Sequence, residues 1–317
     1  MYIQKVVEPI LYSDMTIKHP DEAIRLRDIV DYLQSVPGRM AIVGPWIRNY
    51  GWQIMATNRA VTETTDATMY ILLHASRLRK LSLPHGTPSG VLALALQRPS
   101  SSLRSLCVGI SPYNICEAAA IGQCRGLHEL AVFSFHVNWA KVAGWTLPNV
   151  EHLMWFTDGS VHNFTFLDAC HFVALTRFTL DVVQHRMCEE TQILPFLHHH
   201  PTLSAAAIRL PQVWYSHVLP YIPVHTLSLD CIDLVATQIV PLISSGVRTL
   251  ELCRSDKDLG TVYAVLDSLL SSTSRVRRVR ISFDVFRARL GAAHDFAWGY
   301  IPSAFRPQVA LEERERQ

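Results

Sequence analysis

The most conspicuous polar cluster in this sequence is His198-His199-His200. Imidazoles are common zinc ligands, and zinc takes its ligands tetrahedrally. Three adjacent residues on a helix point in different directions, so these three cannot form one tetrahedral face alone. They stand just before Pro201, where a helix ends, and cations there complement the helix dipole. Seven cysteines are present: Cys107, Cys116, Cys124, Cys170, Cys188, Cys231 and Cys253. Their number is odd, they are scattered, and no Cys-x-x-Cys pair occurs. A disulfide framework and a zinc ribbon are both disfavoured, and reduced, buried thiols are expected. Neither a metal nor a cofactor is expected.

Other polar motifs have plainer readings. His19-Pro20-Asp21 is a helix start, with proline in the first turn and aspartate beside it. Asn163-Phe164-Thr165 matches a glycosylation sequon, but a secretory signal is not expected, so the match is read as accidental. Arg275-Val276-Arg277-Arg278-Val279-Arg280 alternates arginine and valine as a strand with a basic surface would, and could also make a local contact to an anion. The motifs that mark nucleophile elbows, phosphate-cradling glycine loops, dinucleotide folds and His-Glu-x-x-His zinc sites are absent. No enzyme is expected; the alternative is an enzyme with an unrecognised site.

Composition narrows the classes further. The chain has 317 residues, 49% hydrophobic and only 18% charged, with a formal net charge of +2. That balance gives no field calling for nucleic acid. No apolar run approaches the roughly 20 residues that span a bilayer. The expectation is an intracellular protein, cytoplasmic or nuclear, without nucleic-acid or membrane partners.

The elements that must position any site come from a repeat. The phrase is apolar, two variable residues, Leu or an equivalent, one variable residue, apolar. It reads Leu78-Arg79-Lys80-Leu81-Ser82-Leu83, then Leu103 to Val108, Leu127 to Val132, Val150 to Trp155 and Leu175 to Leu180. A degenerate copy runs from Leu203 to Ile208. Val224 to Leu229, Val247 to Leu252 and Val276 to Ile281 follow, and an earlier, poorer copy is Val43 to Arg48. A period of 20–29 residues with this core marks a leucine-rich repeat. The fold class is therefore α/β: a leucine-rich-repeat solenoid, or horseshoe, with a parallel sheet on the concave face and helices on the convex face.

Helices should fill the gaps at Gly90 to Leu96, Cys116 to Ile121, Glu189 to Leu197, Asp233 to Ile243 and Asp258 to Leu270. Residues 1–77 differ from the array, which spans 78–283 in about nine repeats of 21–29 residues. Asp21 to Ser35 reads as a helix with Leu26, Ile29, Val30 and Leu33 on its packed side, stopped by Pro37-Gly38. Residues 284–317 read as a terminal cap and charged tail.

Val7-Glu8-Pro9-Ile10-Leu11-Tyr12, the extended Met15 to Ile17 and the helix after it resemble the segment just past the F-box in the F-box/leucine-rich-repeat-like proteins of mushroom-forming basidiomycete fungi. Leu147-Pro148-Asn149-Val150-Glu151-His152-Leu153 and His200-Pro201-Thr202-Leu203 resemble that family's repeats. The resemblance implies the substrate-binding part of a ubiquitin-ligase receptor. The F-box itself would precede Val6. Residues 1–20 are expected to offer only a short extended piece, so docking of the ligase adaptor is not expected from this chain alone.

The expected function is protein recognition without catalysis, and the partner is a protein the sequence does not identify. The alternative within binding is a stand-alone scaffold unconnected to ubiquitin. Strand residues pointing away from the core should form the partner-binding concave face: Lys80, Ser82, Ser105, Cys107, Glu129, Ala131, His152, Met154, Arg177, Thr179, Thr226, Ser228, Thr249, Glu251, Arg278 and Arg280. An apolar anchor is expected around Ala131 and Met154, and a charged contact toward the C-terminus.

Overall fold

The computed structural model describes residues 2–17, 22–52, 64–83, 87–97, 102–112, 114–159, 161–182, 193–210, 215–230, 240–254 and 275–283. Eleven strands form one sheet: β1 (Asp14–Ile17), β2 (Asn49–Trp52), β3 (Lys80–Leu83), β4 (Ser105–Ile110), β5 (Glu129–Ser134), β6 (His152–Thr157), β7 (Arg177–Val182), β8 (Ala205–Arg209), β9 (Thr226–Asp230), β10 (Thr249–Arg254) and β11 (Arg278–Phe283). Their spatial order is their chain order, and every neighbouring pair is parallel. Parallel neighbours need a crossover between them. Among the described residues the α-helices are α1 (Tyr2–Ser13), α2 (Glu22–Ser35), α3 (Arg39–Val43), α4 (Thr65–His74), α5 (Val91–Gln97), α6 (Val161–Asp168), α7 (Ile193–His199) and α8 (Tyr215–Val218). This order is compatible with a repeat-built, solenoid-like α/β architecture.

Alternation along each strand builds the main core. Leu81 and Leu83, Leu106 and Val108, Leu130 and Val132, Leu153 and Trp155, Leu227 and Leu229, and Leu250 are all buried, as the phrase requires. The side chain of Leu252 lies outside the described residues. The first phrase position, from Leu78 to Val247, packs into the same cluster as the helices. Trp139, Trp145, Trp155 and Phe166 form its aromatic centre, with Trp139 stacked on Phe166 at 4.2 Å between ring centroids. The strands β4 to β6 are buried on both faces, as parallel strands usually are.

Among the described residues two strands precede residue 78. The pairing Asn49↔Lys80 and Tyr50↔Leu81 puts the early copy of the phrase at Ile47 to Trp52, four residues beyond Val43 to Arg48. Tyr50 and Trp52 fill the places held elsewhere by leucine, which hides the frame from a leucine search. β1 extends the same register, with Met15↔Tyr50 and Ile17↔Trp52.

The first residues also differ from expectation. Tyr2–Ser13 is a helix with Pro9 inside it, not a short extended piece. Glu8 on this helix pairs with Arg39 at 2.6 Å. Ile10 and Leu11 are 68% and 67% exposed. On α2, Leu26, Val30 and Leu33 are buried with Ala23, but Ile29 turns partly outward. The helical wheel explains this, because Ile29 sits at the margin of the stripe set by 23, 26, 30 and 33.

Val91–Gln97 is the helix expected from Gly90, while Ile115–Gln123 is a 3-10 helix. The helix expected from Glu189 is seen from Ile193, and Val240–Leu242 is a 3-10 turn at the end of the stretch expected from Asp233. His19 to Asp21, the helix expected at Asp258 to Leu270 and the cap from 284 lie outside the described residues. Among the described residues no helix is long and apolar enough to cross a membrane.

Candidate binding face

Strand pairing places the outward positions in straight rows. The first row runs Lys80, Ser105, Glu129, His152, Arg177, Ala205, Thr226, Thr249 and Arg278. The second, two residues further along each strand, runs Ser82, Cys107, Ala131, Met154, Thr179, Ala207, Ser228, Glu251 and Arg280. The register therefore brings together every residue expected on the face.

The two rows differ sharply in exposure. In the first, Arg177 and Arg278 are exposed, and Lys80, Glu129, His152, Thr226 and Thr249 are half-buried. Only Ser105 among the expected residues of that row is buried. In the second, Ser82, Cys107, Ala131, Met154, Ser228 and Glu251 are buried, and Thr179 is half-buried. The side chain of Arg280 lies outside the described residues. The apolar middle around Ala131 and Met154 is thus not an open anchor. It packs into a second hydrophobic cluster with Cys107, Phe133, Phe156 and Ala207.

A third outward row lies beyond the six-residue phrase, because several strands run two residues past it. It carries Phe133, Phe156, Asp181 and Arg209. Phe133 and Phe156 stack nearly parallel at 4.4 Å between ring centroids. Arg209 Nη1 lies 3.5 Å from Asp181 Oδ2, and that aspartate is buried. The apolar character of residues 133 and 156, one outward step beyond 131 and 154, was the available signal.

Burial tunes the polar groups of this face. The Glu129 carboxyl is pushed up by loss of water, against the Ser105 hydroxyl and the positive charges of Lys80 and His128. The His152 imidazole is pushed down by burial and by the Arg177 cation. Burial raises the Cys107 thiol to about 11, so it stays protonated at neutral pH. Ser82 Oγ donates to the Trp52 carbonyl at 2.9 Å. Ser228 Oγ donates to Glu251 Oε2 at 2.7 Å, giving that buried side chain a hydrogen-bond partner on the neighbouring strand.

At the strand C-terminal ends a serine, a histidine and an aspartate meet, but their wiring is not that of a nucleophilic triad. Ser134 Oγ donates to Asn163 Oδ1 at 2.7 Å and accepts from Trp139 Nε1 at 2.6 Å. Asn163 Nδ2 donates to Asp158 Oδ1 at 3.3 Å, and His136 Nδ1 lies 3.3 Å from Asp158 Oδ2. The serine hydroxyl is buried and bound to an amide, not to the imidazole. Asn163, the sequon residue, is fully buried.

The three histidines take three separate roles. His198 is exposed. His199 Nδ1 pairs with Asp168 Oδ1 at 2.9 Å. His200 is buried and is not a cation at the helix end: its Nδ1 hydrogen bonds to the Phe196 carbonyl, and its Nε2 accepts from the Phe172 N–H. Among the described residues no group of three or more His, Cys, Asp or Glu side chains is placed to hold a metal. No protein-family model matches this sequence, and no curated protein matches it.

Proposed function

We propose that this chain is a non-catalytic protein-recognition scaffold of the leucine-rich-repeat type, and that it contacts its partner through the first outward row of the sheet. The observation that carries this reading is the contrast between rows. The second row forms a packed floor with Phe133 and Phe156, and the first keeps Arg177, Arg278 and a line of half-buried polar side chains at the surface. Polar groups held in register over a rigid floor can match a partner at small ordering cost. The resemblance of the opening and the repeats to F-box/leucine-rich-repeat-like proteins supports assigning the partner to the class of proteins that such receptors select. Docking of the ligase adaptor is not part of the proposal, and neither nucleic acid nor a membrane is.

The test is comparative capture in the native cell. Arg177→Glu with Thr226→Glu alters the first row, and Arg27→Glu with His162→Glu alters exposed helix positions. The row variant should lose the proteins captured by the unaltered chain, and the helix variant should keep them. Loss through the helix variant alone would overturn the assignment. Co-elution of the purified chain with the ligase adaptor would overturn its exclusion and direct attention to Ile10 and Leu11 on α1.

A further inference from the structure

The residues just before the strands carry a charge pattern that the rows do not. One backbone ladder links them: Arg79 N–H donates to the Arg48 carbonyl at 2.7 Å, and Arg104 N–H to the Arg79 carbonyl at 2.8 Å. Arg48, Arg79 and Arg104 therefore stand at one level on consecutive strands. Lys80 follows Arg79, and Arg77 and Arg125 occupy the turns leading into β3 and β5. The guanidinium of Arg48 donates to the Arg77 carbonyl at 3.3 Å, and that of Arg104 to the Gly126 carbonyl at 2.8 Å. Each bond leans an arginine toward the next repeat while leaving most of its five donors free. Arg77, Arg79, Arg104 and Arg125 are exposed, and Arg48 and Lys80 are half-buried. Among the described residues none of the six makes an ion pair.

Six cations on four neighbouring repeats, with no ion pair within 4 Å among the described residues and only the Lys80 charge acting on a carboxyl, that of Glu129, form a local field in a chain of net charge only +2. We propose that this edge, at the N-terminal ends of β2 to β5, binds an extended acidic peptide segment of a partner protein. This rests on the reading of the chain as a protein-recognition scaffold and names the chemistry of what it recognises. Strands lie about 4.8 Å apart, so four repeats span about 14 Å. An extended peptide places alternate side chains about 6.8 Å apart, so three carboxylates at i, i+2 and i+4 cover the same span. Arginine guanidinium pairs with carboxylate in a two-bonded fork, which favours this match over simple attraction. The cationic edge ends at β5: there the first row brings Glu129, and the ladder continues through His128 to Glu151, which pair at 3.1 Å, so further acidic residues are repelled beyond Arg125. Nucleic acid fits less well, because single strands are held by aromatic stacking as well as charge. Among the described residues the exposed large aromatics are Tyr32 and Tyr221, which lie on neither these strands nor their turns.

The test is fluorescence anisotropy with a fluorescein-labelled octaglutamate peptide and the full chain, at low and high salt. Octaglutamate should bind, and binding should weaken with salt. Arg79→Glu with Arg104→Glu should weaken it at least about tenfold, and the milder Arg79→Gln with Arg104→Gln should weaken it in the same direction. Arg25→Glu with Arg27→Glu on α2 changes net charge as much and should leave binding within about twofold. Circular dichroism identifies any variant that fails to fold, in which case the glutamine pair decides. Absence of octaglutamate binding, equal loss in the α2 pair, or tighter binding of an octathymidylate would overturn the inference. If octaglutamate fails while the Arg177 and Thr226 pair still abolishes partner capture, the scaffold reading stands and the acidic segment falls. If octaglutamate binds at the edge while that pair captures normally, the edge stands and the first row falls.

Discussion

The backbone N–H of Phe172 donates to Nε2 of His200 at 3.2 Å. The other ring nitrogen of His200 faces the Phe196 carbonyl at 2.7 Å and must therefore carry the proton. The pair fixes a neutral imidazole in one tautomer, clasped between the turn before β7 and the last turn of α7. The rings of Phe172 and Phe196 flank it. A proton added at Nε2 would break the bond to Phe172 and place a charge among these rings.

A pH dependence of stability follows. The His200 imidazole is pushed below its usual value, chiefly by burial; nearby His171 and His199 lower it further, while the Phe196 carbonyl and Asp168 oppose them. A base whose folded-state value is depressed contributes stability that is complete above the unfolded value, about 6.5. That contribution is lost as pH falls from there toward the folded value, because the unfolded chain takes up the proton first. Urea unfolding between about pH 7.5 and pH 5 should show stability falling with pH. The slope should be shallower in His200→Phe, whose absolute stability is lower at every pH. Equal slopes in the two proteins would remove His200 as the cause.

Thiol reactivity should sort the described cysteines by environment. Burial raises Cys107 and Cys124 to about 11 and Cys170 to about 12. All three are buried, whereas Cys116 is exposed. Only a thiolate attacks an alkylating reagent at a useful rate. Iodoacetamide at neutral pH, followed by peptide mass spectrometry, should modify Cys116 in the folded chain and the other three only after unfolding. Rapid labelling of Cys170 in the native state would contradict its placement under Trp145, whose backbone N–H donates to the Cys170 sulfur at 3.3 Å.

The polar knot at the ends of β5 and β6 should be costly to open. Asn163→Ala takes away the acceptor of the Ser134 hydroxyl and a donor to Asp158, both within the buried region. Leaving buried polar groups without their bonds costs about 1–3 kcal/mol for each group orphaned. Denaturant titration should show a lower midpoint with an unchanged slope. A variant as stable as the parent would mean that water replaces the amide fully. The same burial keeps the Asn163 amide away from any glycosylating enzyme acting on the folded chain.

Legibility in the sequence followed the chemistry of the repeat position. Leu81, Leu106 and Leu130 announce their strands because leucine recurs where the core requires an apolar side chain. Tyr50 and Trp52 meet the same requirement with aromatic rings, and Tyr50 adds a hydrogen bond to Thr68 at 2.7 Å, so the frame there reads four residues early. Pairing registers told which residues share a row, but not how deep each row lies. Depth depends on residues beyond the phrase, such as Phe133 and Phe156, and on small neighbours such as Ala207 that let the second row close. The cationic edge was hidden for a different reason: Arg48, Arg79 and Arg104 are separated by more than twenty residues each and come together only when the strands stack.

Leu130 and Ala131 are neighbours in β5 that belong to opposite cores, and substitution should separate them. Leu130 is fully buried in the cluster shared with the helices. Leu130→Ala should cost about 2–5 kcal/mol, the sum of lost burial and the cavity left behind. Ala131 is buried in the outward cluster with Cys107, Phe133, Met154 and Phe156. Ala131→Leu adds three carbons to that cluster and should cost about 1–3 kcal/mol through overpacking. Were the outward face open, the added leucine would sit on a free surface and change stability little. Adding Met154→Ala to Ala131→Leu supplies room on the next strand in the same row, and should recover part of the loss. Ala131 pairs with Met154 in register, so the two effects should be non-additive. Unfolding midpoints of the two single variants and the double variant settle whether the second row is a packed floor, and additive losses would show that it is not.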